Sequence, residues 1–193
     1  MNEAIQTDEQ DRSDMKRLAA GFDGALNELM ERHAQRLFHY LLRHLDEAAA
    51  NDLAQETFVR IYQNRTKYNP KHKFSTWLYT IATNLLRDRF RWEKRHPTVS
   101  LNKETEEGSR LLDVIPSETL TPDESASFVE RADKVRDAIQ ELPDDLRSAL
   151  ILSEYEEKSH AEIGEILQCS AKAVEMRLYN ARQQLKSKLL VLQ

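Results

Sequence analysis

Apolar positions along this chain recur at intervals of three and four residues almost throughout, the rhythm of helices buried along one face. Leu26, Leu29, Met30, His33, Leu37, Tyr40 and Leu41 follow it and predict a helix over roughly 22–45. A second helix is expected over 50–65, with Ala54, Phe58, Ile61 and Tyr62 on one face and Asp52, Gln55, Glu56 and Val59 on another. TKYNPKHK (66–73) has no period and reads as a loop. A third helix, 75–94, stacks Trp77, Ile81 and Leu85 one turn apart and carries Asn84, Arg87, Asp88 and Arg91 opposite. No segment shows convincing strand alternation.

Pro97 stops that pattern, and 97–120, with Gly108, Ser109, Pro116 and Ser117, reads as a linker. Helical signals then resume sharply. Thr121 is placed to cap, Pro122 suits a first helical position, and Glu124 completes a capping box. Phe128, Ala132, Val135, Ile139 and Leu142 continue the stripe, and Pro143 opens a short helix to about Tyr155. Ser159 and Glu162 form a second candidate capping box before Ile163, Ile166 and Leu167. Ser170 is placed to cap a last helix whose Val174, Leu178, Ala181, Leu185 and Leu189 face inward. The expected fold is all-α: two small helical domains, 21–96 and 121–193, joined by the linker and preceded by an acidic extension, 1–20.

Composition agrees: only 4 glycines and 5 prolines in 193 residues argue against a turn-dense β fold. A mean hydropathy of −0.69, the lack of any bilayer-length apolar run and a polar, acidic start predict a cytoplasmic protein with no membrane insertion. The net charge of −5 conceals strong segregation. Residues 1–14 and 97–128 are acidic, whereas 71–96 and 170–190 are basic, which points to two separate contacts with a polyanion.

Enzymatic chemistry finds little support. There is no HExxH, no GxxxxGK[ST] and no GxGxxG, and His33, His39 and His44 make no local metal motif. The lone Cys169 can form neither an intrachain disulfide nor a cysteine cluster for zinc, and it reads as a small core residue. The expectation is a non-enzyme without cofactor or metal.

The C-terminal unit is more telling. A short helix near 160–167, a tight Gln168–Cys169 turn and a capped basic helix have the proportions of a helix-turn-helix. With Val174, Leu178 and Ala181 inward, Lys172, Glu175, Met176, Tyr179 and Asn180 face out to meet base edges, and Arg177, Arg182 and Lys186 suit phosphates. A plain helical hairpin is the alternative. The earlier basic string, KHKFSTWLYTIATNLLRDRFRWEKR, interleaves cations with Phe74, Trp77, Tyr79, Phe90 and Trp92, a composition able to stack unpaired bases. Trp77, in register with Ile81 and Leu85, equally suits a core.

Three motifs in order resemble those of the extracytoplasmic-function group of bacterial RNA polymerase sigma factors, small sigma-70 relatives with only domains two and four. DLAQETF (52–58) is similar to the core-binding motif D-L-x-Q-E-x-F. F-x-x-W-L and I-A-x-N-x-x-x-D-x-x-R are met by Phe74, Trp77, Leu78, Ile81, Ala82, Asn84, Asp88 and Arg91, and 142–189 has the layout of domain four. The resemblance spans about 21–190 and implies domain two at 21–96, domain four at 121–193, and partners in core RNA polymerase and promoter DNA. It implies core docking by Asp52, Gln55 and Glu56. It implies capture of the melted minus-ten element by Lys71, Lys73, Phe74, Ser75, Trp77 and Asn84, with Arg87 and Arg91 on phosphates. It also implies minus-thirty-five reading from the last helix by Ser170, Lys172, Glu175, Met176, Arg177, Tyr179, Asn180 and Arg182.

Departures sharpen these expectations. Where relatives carry D-A-E-D, this chain has Ala49-Ala50-Asn51-Asp52, lacking two acids; a kinase acting on Thr57 would supply charge there, and an anti-sigma factor is the other further partner to consider. Gly164 stands where Ala is usual, and Glu175 where basic residues are common. A free-standing helix-turn-helix regulator and a helical adaptor without nucleic acid are the competing readings; the free chain is expected to be a monomer.

Overall fold

A computed structural model describes residues 2–96 and 132–191. The linker, the capping box at Thr121, Pro122 and Glu124, and Phe128 lie outside the described residues. Among the described residues the structure is helical, with turns between the helices and no strand. The first group comprises α1 (Asn2–Ala19), α2 (Gly24–Leu42), α3 (Glu47–Gln63), a 3-10 turn (Arg65–Lys67) and α4 (Phe74–Arg95). The second comprises α5 (132–140), α6 (Asp144–Glu154), α7 (His160–Leu167) and α8 (Ala171–Val191).

Residues 1–20, read from the sequence as an acidic extension preceding the first domain, contribute α1 to the first core. Met15 and Leu18 are buried there, and so are Asp11 and Asp14. The two acids belong to the inward stripe and hide its amphipathic signature. Arg32 on α2 donates to Asp11 at 3.0 Å and to Asp14 at 2.5 Å, and His33 Nε2 lies 2.8 Å from Asp11. Buried carboxylates persist only when paired in this way. On α2, Leu29, Leu37, Tyr40 and Leu41 face inward as the periodicity predicts, and Phe58 and Ile61 do so on α3.

Helix α4 departs from its predicted register. Its most buried positions are Phe74, Leu78, Ala82 and Leu86, with Tyr79 and Thr83 alongside, whereas Trp77, Ile81 and Leu85 are only half-buried. The reason is that α4 packs against α3 on one side and α7 on the other, so its apolar arc is broad and its centre cannot be read from a single stripe. In the second group Ile139, Leu142, Ile163, Ile166, Val174, Leu178 and Ala181 make the core expected of them, Ile151 joins it, and Val135 is exposed.

Candidate polymerase and nucleic-acid interface

Three surfaces carry the predicted residues. On α3, Asp46 caps the helix by accepting from the Ala49 amide at 2.8 Å, and Glu47 adds charge to the first turn. Asp52 and Gln55 are exposed on one face, and half-buried Glu56 accepts from Arg60 Nε at 2.6 Å. The missing acids differ in consequence. Ala49 is buried, so a carboxylate there would not project, whereas exposed Asn51 donates to the Glu47 carbonyl at 3.1 Å. Thr57 is fully buried and its hydroxyl donates to the Leu53 carbonyl at 2.7 Å, so the kinase expectation finds no reachable hydroxyl in this fold.

The α4 surface is split. Lys71 is exposed in the preceding loop, Asn84 is half-buried, and exposed Arg91 pairs with Asp88. Phe74, expected to meet nucleic acid, is fully buried, its ring centroid 5.1 Å from that of His33. That is a correction: its position at the start of α4 points it into the core beside Tyr68, leaving half-buried Trp77, 5.3 Å from Tyr68, as the aromatic nearer the surface.

The α7–α8 unit has the geometry its sequence implies. Ser159 Oγ accepts from the Glu162 amide at 3.3 Å and the Glu162 carboxylate accepts from the Ser159 amide at 2.9 Å, closing the capping box. Gln168 adopts φ 57°, the left-handed conformation that ends α7, and Ser170 Oγ accepts from the Ala173 amide at 3.2 Å to start α8. Lys172, Glu175, Met176, Tyr179 and Asn180 face outward, with Met176 49% and Tyr179 58% exposed. Glu175 accepts from Lys172 Nζ at 2.9 Å, and that hydrogen bond holds its carboxyl below the usual range. Arg177 and Arg182, expected on phosphates, are engaged within the protein: Arg177 donates to Asp145 at 3.0 Å and Arg182 to Glu154 at 2.7 Å.

Sequence reasoning missed a set of contacts between the two groups. Lys158 Nζ donates to Ser75 Oγ at 2.8 Å, Lys73 pairs with Glu162 at 3.1 Å, and His72 Nδ1 lies 3.0 Å from Glu165. Arg87 donates to the Leu167 carbonyl at 3.2 Å and approaches Asp145 at 4.0 Å, so Asp145 lies between Arg87 and Arg177. Tyr79 donates to buried Glu156, and the Arg43 guanidinium sits 4.0 Å over the Tyr155 ring. Burial raises the Glu156 carboxyl above its usual range against the pull of Tyr79, Arg36, Arg43 and Lys158, and burial lowers the Lys158 ammonium. The only sequence signal for these contacts is the acidity of α6 and α7 beside a basic α4.

Two helical groups, one with a basic, aromatic-bearing helix and one with a helix-turn-helix, are what the resemblance to sigma-70 proteins implies, and comparison shows that family. Residues 29–96 match the family model for sigma-70 region 2 and 132–185 that for sigma-70, region 4. The chain is 32% identical over 178 residues to the ECF RNA polymerase sigma factor SigW of Bacillus subtilis, covering 91% of this chain and 94% of that protein. It is 33% identical over 173 residues to the RNA polymerase sigma factor CarQ of Myxococcus xanthus, covering 89% and 93%. Among solved structures, CnrH in complex with the cytosolic domain of CnrY shares the fold with a TM-score of 0.69 at 24% identity, over 94% of this chain and 98% of that one. The chain belongs to the extracytoplasmic-function group of the sigma-70 family, whose role is promoter-specific transcription initiation with RNA polymerase. Among the described residues no helix is long and apolar enough to cross a membrane.

Proposed function

We propose a division of labour in which domain two, 21–96, docks on core polymerase and opens the minus-ten element, while domain four, 121–193, reads the minus-thirty-five element as duplex. The polar face of α3, with Asp52, Gln55 and Glu56, serves the polymerase. Lys71, Lys73, Ser75, Trp77, Asn84, Arg87 and Arg91 serve the non-template strand, stacking bases and following the backbone. Helix α8 enters the major groove through Ser170, Lys172, Glu175, Met176, Tyr179 and Asn180, with Arg177 and Arg182 moving from their internal partners to phosphates. A partner of the anti-sigma class, like the one in the solved complex of RpoE with the anti-sigma factor NepR from Bartonella quintana, is to be sought by pull-down from cells.

The observation that carries the α8 assignment is the exposure of two large apolar side chains, Met176 and Tyr179, on the first turns of a helix that follows a tight left-handed turn. Surface apolar groups in such a row await a partner. Glu175 sits among them. A carboxylate cannot pair with guanine O6 or N7, but it accepts from cytosine N4, so it selects bases instead of adding general affinity. The test is run-off transcription by holoenzyme on a randomised minus-thirty-five library. Glu175→Ala is expected to change the selected sequence, a correct base contact being worth about 1–3 kcal/mol. Arg177→Ala is expected to weaken all sequences nearly alike. Identical selections by wild type and Glu175→Ala would remove Glu175 from base reading.

A further inference from the structure

The α3 face assigned above to polymerase is short of available charge. Ala49 and Asn51 bring none, and the Glu56 carboxylate is already met by Arg60 Nε, 2.6 Å away on the next turn. Glu47, five residues before Asp52, is on another side of the helix. Asp52 is left as the acid in a row of exposed residues, Ala48, Asp52, Gln55 and Val59. Seven residues make almost two full turns, so Val59 lies within about 20° of Asp52 around the helix, with Gln55 and Glu56 on either side of that line. Val59 is 46% exposed, and among the described residues it is the one large apolar side chain that α3 exposes. The core takes Phe58 and Ile61 from this helix and leaves Val59 out. Single apolar side chains scattered over a surface are ordinary. One centred on a docking face is different, because the middle of an interface is the part that loses its water.

We propose that Val59 is the apolar anchor of polymerase docking, packing on an apolar side chain of the polymerase surface that α3 meets, so that docking through this helix rests on apolar contact more than on charge. The inference rests on the assignment of the α3 face to core polymerase. Charges at an interface speed encounter and are screened by salt, whereas burial of methyl groups stabilises the docked state whatever the ionic strength. A β-branched side chain on a helix is already stiff, so fixing Val59 against a partner sacrifices little rotamer freedom. Gln55, with a donor and an acceptor but no net charge, can border such a contact without opposing it. The anchor therefore has two signatures: affinity that follows the apolar volume at position 59, and an effect of that volume that salt does not alter.

The test is equilibrium binding of the full chain to core polymerase, with circular dichroism as the check on folding. Val59→Ala is expected to weaken binding about fivefold, and Val59→Ile to tighten it about two- to fourfold. Val59→Thr keeps the shape of the side chain but carries a hydroxyl into the contact, and is expected to weaken binding about tenfold. These ratios to wild type are expected to be the same at about 0.05 and about 0.5 M salt, since screening acts on charges alone. Ile5→Thr, at an exposed apolar residue of α1, is expected to bind as wild type does, which sets aside general surface hydrophobicity as the cause. If Val59→Thr binds as wild type does, or its loss disappears at high salt, while Glu56→Arg still weakens binding, the apolar anchor is overturned and the face keeps its assignment. If Glu56→Arg and Val59→Thr both bind as wild type does, the assignment of the α3 face falls, and the anchor with it.

Discussion

His44 shows how one side chain couples this fold to pH. Its ring is buried, neither nitrogen has a hydrogen-bond partner among the described residues, and it lies edge-on to Tyr40 at 5.1 Å. Burial, reinforced by the Arg147 and Arg43 charges, lowers its pKa to about 3 from 6.5. The unfolded chain therefore takes up a proton that the folded chain refuses, and stability is retained above about pH 6.5 and lost as pH falls below it. The slope is about 1.4 kcal/mol per pH unit, so about 2 kcal/mol is lost by pH 5. Glu156, raised by burial, acts in the opposite sense, which makes a difference measurement necessary. His44→Phe is expected to remove the His44 component. Urea unfolding of both proteins at pH 7.5 and about pH 5 checks this, and equal losses in the two would assign the pH dependence elsewhere.

At the scale of elements, the α7–α8 turn is fixed by backbone proximity. A Cβ built on Gly164 would lie 2.7 Å from the Cys169 carbonyl oxygen, closer than atoms tolerate, and backbone cannot swing aside as a flexible side chain can. Gly164→Ala is therefore expected to destabilise the domain by about 1–3 kcal/mol, despite the helix propensity of alanine, or to re-aim α8. Thermal unfolding read beside minus-thirty-five binding separates those two results. Helix α3 makes a different prediction. Because, among the described residues, Glu56 pairs with Arg60 on its own helix, Glu56→Arg leaves the core untouched and is expected to weaken polymerase binding by a few kcal/mol with unchanged circular dichroism. Intact affinity would take this face out of the interface. Both elements were legible in the sequence, since capping residues and periodicity suffice where a helix buries one face. Helix α1 was not legible, because Asp11 and Asp14 occupy core positions that only the distant Arg32 and His33 make tolerable. Nor was the register of α4, a helix with packed neighbours on two sides.

For the molecule as a whole, residues assigned to the minus-ten element fall into two kinds. Lys71 and Asn84 are in none of the interdomain pairs described above, whereas Lys73 and Arg87 are held by domain four. This difference was invisible in the sequence, where all four belong to one segment and the acids that Lys73 and Arg87 meet lie about 60 to 90 positions further on. It predicts different mutant behaviour. On the proposed assignment, alanine at Lys71 or Asn84 removes a DNA contact and is expected to cost on the order of 1–3 kcal/mol in open-complex formation. Alanine at Lys73 or Arg87 also removes an interdomain contact, so a lowered unfolding midpoint is expected beside any defect in opening, whereas Lys71→Ala and Asn84→Ala are expected to leave the midpoint unchanged. Templates separate the contributions. A promoter melted beforehand over the minus-ten element is expected to rescue Asn84→Ala in part, because the cost of opening the duplex no longer falls on the missing contact. Equal defects of Lys71→Ala and Asn84→Ala on duplex and on pre-melted templates would mean that these residues only position the protein.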